Sequence, residues 1–307
     1  MMIDATVQSD IRSAPLLPMT TRLGPVHLAV TDKDRALAIW RDVVGLTVIG
    51  DLPDRLELGV DNQTLIVLDT NAQGPVVPHT IGLYHVAIHV PTRADLASMA
   101  MRAIEKQVRI SPTDHLVSEA IYLWDLDGNG IEITFETPWR GTLGDPKRGY
   151  YALTADGKPH SGRERIDLEE LLGELGDPAQ RQVSMPKGTR IGHVHVHVND
   201  LDVAMGFYRD TIGFGGFVLI HSFGMGDVGL NYMPHTLAFN VWAGPDAKLP
   251  PANKAGLRWF NIVVPDAATL AEMVTRLEKA GASVEHLATG IETRDPSGNR
   301  LRISATA

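Results

Sequence analysis

Residues 26–46 read VHLAVTDKDRALAIWRDVVGL, and residues 194–214 read VHVHVNDLDVAMGFYRDTIGF. Both segments begin with the alternating pattern of a strand, reach an aspartate suited to cap a helix, and continue with apolar side chains at helical spacing. The cap candidates are Asp32 and Asp200. Weaker copies of the same plan start at Tyr84 and Trp259. Such self-similarity indicates four repeats of one unit, which we call modules one to four in chain order.

Short strand patterns follow each predicted helix. In module one they lie at about 46–50, 55–60 and 63–69, and in module two at about 108–111, 117–124 and 130–136. Each module is therefore predicted to be a βαβββ unit. Because one such unit leaves a face of its sheet uncovered, modules must pair. The sequence predicts an α+β fold in which four βαβββ modules pair into two barrel-like domains.

The order of the modules divides the chain into four parts. Residues 1–21 form an N-terminal tail, 22–136 contain modules one and two, 137–189 form a connector, and 190–307 contain modules three and four. Within the connector, residues 166–175 have the pattern of an amphipathic helix. Because the connector is longer than an ordinary loop, we expect it to wrap over the surface or to cover a site.

Composition excludes several classes of protein. The 307 residues include no cysteine, so a metal must be held by His, Asp or Glu rather than by thiolates. A net charge of −9 without a basic run argues against nucleic-acid binding. Neither a membrane-spanning segment nor a signal peptide is evident, and we predict a cytoplasmic protein without a membrane partner.

Alignment of the four modules isolates a set of potential metal ligands. His85 and His193 occupy the same place on the first strands of modules two and three, where modules one and four have Pro25 and Trp259. Glu132 lies on the last strand of module two. The alignment places about Ile66, Asn240 and Arg302 at the position of Glu132 in the other modules. His85, Glu132 and His193 can act together only if modules two and three share a pocket and modules one and four pair.

Two imidazoles and one carboxylate on one side of a metal leave three adjacent positions open. This arrangement suits Fe(II) oxygenases, which bind substrate and dioxygen together, and Mn(II) could occupy the same ligands. Taken singly, each histidine is most simply structural and the glutamate an exposed strand residue. Their coincidence at equivalent positions of the repeat favours a metal site.

The segment TDHLVSEAIYLWDLDGNGIE at 113–132 adds a more specific pattern. With the repeat, which covers residues 22–305, it is similar to the vicinal oxygen chelate superfamily of glyoxalases, drug-binding resistance proteins and extradiol dioxygenases. The segment itself resembles the type I extradiol dioxygenase signature, with Thr113, His115, Tyr122, Gly128 and Glu132 at the matching positions. One departure is Leu126, where the signature normally has proline.

The resemblance implies an Fe(II)-dependent extradiol dioxygenase that cleaves a catechol-type aromatic diol with O2. It also implies catalytic roles for His115 and Tyr122. In the family the ligands normally come from the C-terminal pair of modules, where this chain has Trp259 and Arg302. From their places on the strands, we expect further substrate contacts at three residues, His195, His235 and Asn240.

Two alternatives remain open from the sequence. A metal-dependent glyoxalase-like isomerase or lyase would use the same scaffold, although it usually needs a second glutamate ligand. A metal-free small-molecule binding protein of the drug-resistance type would tolerate the loss of ligands in modules one and four. The exposed strand edges of paired modules are compatible with a homo-oligomer.

Overall fold

A computed structural model of the chain describes residues 14–143, 152–176, 183–230 and 236–306. Module one comprises β1 (Arg22–Ala29), α1 (Lys33–Trp40), β2 (Thr47–Leu52), β3 (Arg55–Val60) and β4 (Gln63–Asp69). Module two comprises β5 (Gly82–His89), α2 (Arg93–Glu105), β6 (Ser111–Asp114), β7 (Ser118–Trp124) and β8 (Gly130–Glu136).

The connector adds small elements of its own. These are a 3₁₀ turn (Pro138–Arg140), β9 (Gly141–Leu143), β10 (Ala152–Thr154), β11 (Pro159–His160), α3 (Leu168–Leu172) and a second 3₁₀ turn (Gly173–Leu175). The helix predicted at 166–175 is therefore split, and it begins after Asp167, whose side chain accepts hydrogen bonds from two backbone N–H groups.

Modules three and four complete the chain. Module three comprises β12 (Arg190–His197), α4 (Leu201–Met205), a π-helical continuation (Gly206–Ile212), β13 (Gly215–Ile220), β14 (Met225–Gly229) and β15 (Leu237–Asn240). Module four comprises β16 (Gly256–Val264), α5 (Ala267–Lys279), β17 (Glu285–Leu287), β18 (Gly290–Arg294) and β19 (Arg300–Ala305).

The helices begin where the sequence predicts. The side chains of Asp32 and Asp200 accept hydrogen bonds from backbone N–H groups three residues later, at 2.9 Å in both cases. Each bond satisfies a donor that the first turn of a helix leaves without a partner. One strand is misplaced by the sequence analysis, because β6 spans Ser111–Asp114 rather than 108–111. Gln107 adopts a positive φ of 57° after α2, and the strand forms only where Ser111 comes opposite Tyr122 on β7.

Two eight-stranded sheets contain all four modules in the described part of the chain. One sheet has the order β17-β18-β19-β16-β1-β4-β3-β2 and joins module four to module one. The other has the order β13-β14-β15-β12-β5-β8-β7-β6 and joins module three to module two. This confirms the pairing that a shared His85, Glu132 and His193 site requires. The predicted ranges 22–136 and 190–307 each contain two modules that are consecutive in the chain. Each sheet instead combines one module from the first range with one from the second.

A continuous apolar core includes side chains of both sheets and of the module helices. Two buried aspartates in strand-joining turns connect the sheets. Trp40, on α1, donates from Nε1 to Asp125 Oδ2 at 3.1 Å, and Tyr208, in module three, donates from its hydroxyl to Asp295 Oδ2 at 2.7 Å. Each bond joins a helix of one sheet to a turn of the other. No helix in the described residues is long and apolar enough to span a membrane.

Candidate metal centre and pocket

His85, Glu132 and His193 meet on three neighbouring strands, β5, β8 and β12. The two Nε2 atoms lie 3.1 Å apart, and Glu132 Oε2 lies 2.9 Å from His85 Nε2 and 3.1 Å from His193 Nε2. The three residues are 5%, 2% and 4% exposed, respectively. Among the described residues, this is the group of histidine and acidic side chains with the spacing of a metal site.

Strand register explains why these three side chains converge. Ala87 on β5 is the pairing partner of Glu132 on one side and of His193 on the other, and His85 lies two residues earlier on the same face. The methyl group of Ala87 is small enough to leave the space between the ligands open. At the start of β8, Gly130 lies so close to β5 that a Cβ there would be 2.0 Å from the carbonyl oxygen of Tyr84. The glycine therefore allows β8 to approach β5 closely.

The spacing of the three donor atoms fits a metal ion bound on one face. Three ligands at right angles, with bonds of about 2.1 Å, place neighbouring donors about 3.0 Å apart, since that spacing is √2 times the bond length. A tetrahedral ion with the same bonds would separate them by about 3.4 Å. At the observed separations of 2.9 to 3.1 Å, the three donor atoms are close enough together for one ion to contact all of them. Two imidazole nitrogens and one carboxylate oxygen are also donors that Fe(II) and Mn(II) accept.

The protonation states of Glu132 and His193 favour the binding of a cation. Burial alone would raise the pKa of Glu132, but the imidazoles of His193 and His85 outweigh it and hold the pKa well below its usual value. Burial lowers the pKa of His193 to about 4, although the charge of Glu132 opposes this shift. The carboxylate is therefore ionised and the His193 imidazole neutral near pH 7, which are the protonation states that metal ligands require.

Thr134 fixes the direction of the Glu132 carboxylate. Its hydroxyl donates to Glu132 Oε1 at 2.9 Å, and both residues are 2% exposed. With Oε1 held by Thr134, Oε2 is the oxygen that faces the two histidines. This is the kind of outer partner that orients a metal ligand.

We call His85, Glu132 and His193 the triad. His115 and Tyr122 form a hydrogen-bonded pair beside it. His115 Nδ1 lies 2.6 Å from the carbonyl oxygen of Gly162, and its Nε2 lies 2.9 Å from the Tyr122 hydroxyl. Because a carbonyl only accepts, Nδ1 carries the proton and Nε2 accepts from Tyr122. Burial lowers the pKa of His115, in agreement with a neutral imidazole. Burial, together with the charge of Glu132, raises the pKa of Tyr122 well above its usual value.

A cavity of about 680 Å³ opens from the triad. Its wall includes His115, Tyr122 and the triad, together with several apolar side chains: Val117, Leu123, Leu143, Phe223, Met225 and Trp242. Leu143 and the segment 162–165 belong to the connector, so the connector contributes to the wall of this cavity. This volume lies within the range of small-molecule binding sites.

The three predicted substrate contacts have different surroundings. His195 lines the cavity, and its Nε2 accepts from Asn240 Nδ2 at 2.8 Å. Asn240 is fully buried, and its Oδ1 accepts from His197 Nδ1 at 2.7 Å, so Asn240 lies behind His195 rather than in the cavity wall. His235 lies outside the described residues.

The register of β12 and β15 also corrects one alignment made from the sequence. His195 pairs with Ala238, as Ala87 pairs with Glu132 in module two. Ala238, and not Asn240, therefore occupies the position of Glu132 in module three.

The other sheet has no comparable ligand set among its described residues. Arg302, at the position of Glu132, lies with its guanidinium carbon 4.2 Å above the ring of Trp259, and its Nε lies 3.0 Å from Glu292 Oε2. A cation, an aromatic ring and a carboxylate thus occupy the place that the triad has in modules two and three. Module four thus has an ion pair and a cation–aromatic contact at these positions.

Sequence reasoning missed several cavity residues. The carbonyl of Gly162 and the side chain of Arg163 come from the connector, which has no counterpart in the repeat. Tyr84 directly precedes His85 and lies edge-on to His195, with ring centroids 4.9 Å apart. The unusual length of the connector was the signal in the sequence that could have directed attention to residues 162–165.

Comparisons with known proteins agree with this architecture. The sequence model of the Glyoxalase/Bleomycin resistance protein/Dioxygenase superfamily matches residues 22–133 and 190–303. A Bacillus subtilis (strain 168) protein named catechol-2,3-dioxygenase is 34% identical over 282 residues, which cover 90% of this chain and 94% of that protein.

Crystal structures show the same fold at low sequence identity. A candidate dioxygenase from Bacillus subtilis superposes with a TM-score of 0.59 at 12% identity, covering 92% of this chain and 84% of the other. A glyoxalase I variant from Zea mays superposes with a TM-score of 0.57 at 17% identity, covering 93% of this chain and 94% of the other.

Proposed function

The chain belongs to the glyoxalase/bleomycin resistance protein/dioxygenase superfamily, and on that basis we propose that it is an extradiol dioxygenase. In this proposal it is an oxidoreductase that opens a catechol-type aromatic ring with O2. The observation that carries the proposal is the convergence of His85, Glu132 and His193 within 3.1 Å at one end of the cavity. The relative named catechol-2,3-dioxygenase, similar over 90% of the chain, supports the same activity.

The proposed cofactor is Fe(II), held by His85 Nε2, His193 Nε2 and Glu132 Oε2. Mn(II) accepts the same donors, so metal analysis must separate the two ions. When bound, the metal supplies the place where the diol oxygens and dioxygen meet and the path by which electrons pass from the ring to oxygen. All three residues line the cavity, so a bound ion would be accessible to a ligand there.

His115 is the proposed acceptor of a diol proton. Its Nδ1–H donates to the Gly162 carbonyl, which leaves the Nε2 lone pair directed toward the Tyr122 hydroxyl and the interior of the cavity. Because burial keeps this imidazole neutral, Nε2 is available to take a proton and return it later in the reaction. Tyr122 keeps its own proton, and turning its O–H from His115 Nε2 to a diol oxygen would free Nε2 for the proton of the diol. Both atoms of O2 enter the ring-opened product, so the reaction needs no external reductant.

The proposal is tested by comparing the wild type with Glu132→Gln. Each protein is purified without a chelator or a histidine tag, its metals are measured, and it is reloaded with Fe(II) without oxygen. Oxygen uptake and the yellow ring-opened semialdehyde are then followed with catechol. Glu57→Gln is the matched control, because Glu57 lies on β3 in the other sheet and accepts only a 3.4 Å contact from Thr64.

We expect about one iron per chain, oxygen uptake and yellow product in the wild type and in Glu57→Gln. All three should be lost in Glu132→Gln. Metal binding without oxygen uptake would instead favour the isomerase or lyase alternative. If the wild type bound no metal under these conditions, the metal-free binding protein would be the better description. Unfolding curves of each variant show whether a loss is local to the site.

A further inference from the structure

Arg163 occupies a fixed position at the rim of the cavity. The residue before it, Gly162, accepts the hydrogen bond from His115 Nδ1 at 2.6 Å. The residue after it, Glu164, exchanges two backbone hydrogen bonds with Asp114 on the edge strand β6, at 2.7 and 2.9 Å. Since both neighbours are tied to module two, the backbone at Arg163 is held beside the cavity.

The side chain of Arg163 lies across the cavity wall. Its guanidinium carbon is 4.2 Å from the ring centroid of Phe223, a cavity residue of module three. Stacking on an aromatic ring holds the planar guanidinium while its N–H groups stay available to a ligand. Arg163 therefore links the connector to module three, while its neighbours are bound to module two.

No carboxylate among the described residues lies within ion-pair distance of Arg163. The adjacent acid, Glu164, is 3.5 Å from His160 Nε2. Arg165, two residues along, also lines the cavity. Burial lowers the pKa of His115 most, and the positive charge of Arg163 contributes to the same shift. Arg163 itself is exposed to solvent. The cavity wall thus combines apolar side chains with Arg163, which has no ion-pair partner among the described residues, and it also includes Glu164.

The size of the cavity adds an independent argument. Its volume of about 680 Å³ is large for an unsubstituted catechol, which has eight non-hydrogen atoms, and falls in the range occupied by drug-sized ligands. A ring placed at the triad would leave part of this volume for a ring substituent, in a cavity that Phe223 and Arg163 also line.

We propose that Arg163 binds a carboxylate carried by a substituent of the aromatic ring, so that the substrate is an anionic, substituted aromatic diol. The inference rests on the proposed function, because it takes the diol to lie at the triad. A guanidinium suits this role, since its planar fork matches the geometry of a carboxylate. Arg163 would act as a residue that determines specificity and would not take part in ring opening.

The test is equilibrium binding under anaerobic conditions, with acids and their neutral amides as probes. The acids are 3,4-dihydroxybenzoate, 3,4-dihydroxyphenylacetate and 3-(3,4-dihydroxyphenyl)propionate. We expect the wild type to bind at least one acid about tenfold or more tightly than its amide, a preference that Arg163→Gln abolishes. Arg163→Lys should keep part of it, because lysine retains the charge but not the fork. Arg109→Gln is the charge-matched control, since Arg109 is exposed and outside the cavity lining.

Equal binding of every acid and its amide by the wild type, or an unchanged preference in Arg163→Gln, would overturn the inference. Oxygen uptake with unsubstituted catechol is measured in parallel. Uptake without an acid preference would leave the dioxygenase in place and refute the anion site alone. An acid preference that depends on Arg163, found without oxygen uptake, would support the anion site and refute the dioxygenase.

Discussion

Replacing Thr134 with valine should weaken metal binding about 10- to 100-fold, the usual effect of losing a partner that orients a ligand. Valine has the shape of threonine but cannot donate the 2.9 Å bond to Glu132 Oε1. Both residues are 2% exposed, so this bond is shielded from bulk water. A hydrogen bond to a charged group is worth about 1.5–3 kcal/mol. At about 1.4 kcal/mol for each factor of ten, this equals about a 10- to 150-fold change, in agreement with the first figure.

The assay is an anaerobic competition titration of Fe(II) against a coloured chelator at pH 7, with urea unfolding of the metal-free protein beside it. Thr64→Val is the control, because Thr64 faces Glu57 in the other sheet at a longer 3.4 Å and should leave metal affinity unchanged. Metal affinity of Thr134→Val within about twofold of the wild type would show that this hydroxyl does not orient the carboxylate.

Three other substitutions test the surrounding structure. Burial would raise the pKa of Glu136, but His89 above all lowers it from 4.5 to about 2. The ionised carboxylate therefore stabilises the fold above about pH 4.5, and this stabilisation is lost as the pH falls toward 2. Glu136→Gln should therefore lower the free energy of unfolding by about 1–3 kcal/mol at pH 7 and by almost nothing near pH 2, and a difference independent of pH in urea titrations would contradict this assignment. Gly130→Ala would place a Cβ 2.0 Å from a carbonyl oxygen of β5, so we expect the free energy of unfolding to fall by about 1–3 kcal/mol and the metal content to decrease. Full metal occupancy in this variant would show that β8 can shift without disturbing the site. Trp40→Phe removes the buried 3.1 Å bond to Asp125 and should lower the free energy of unfolding by about 1–3 kcal/mol, whereas wild-type stability in urea would show that the two sheets do not depend on it.

The repeat made the triad predictable. Once the modules were aligned at their helix caps, His85 and His193 fell at one position, and pseudo-symmetry required modules two and three to share a sheet. The Asp-Xaa-Xaa-Gly-Asn turns at 125–129 and 295–299 supplied the register of the last strands in modules two and four. Glu132 and Arg302 were therefore placed at equivalent positions, and Ala87 and Asn261 are their strand partners two residues after His85 and Trp259.

The alignment made from the sequence was wrong where no such turn marks the register of a strand. Module three has no Asp-Xaa-Xaa-Gly-Asn turn before β15, so the alignment there slipped by two residues and assigned Asn240 the place of Ala238. A slip of two keeps a residue on the same face, which is why Asn240 still reaches His195 although it does not line the cavity. Gly162 and Arg163 could not be located at all, because the position of an unrepeated connector depends on long-range contacts with His115, Asp114 and Phe223.

The crossing of the modules between the two sheets makes the halves of the chain mutually dependent. A polypeptide ending before the connector would carry His85 and Glu132 but only half the strands of each sheet, and its complement would carry His193 with the other halves. Cutting the chain within residues 152–176 would thus divide each sheet, and the proposed metal ligands, between two fragments. The two fragments are natural candidates for a split reporter, in which reassociation of the pieces restores the ligand set.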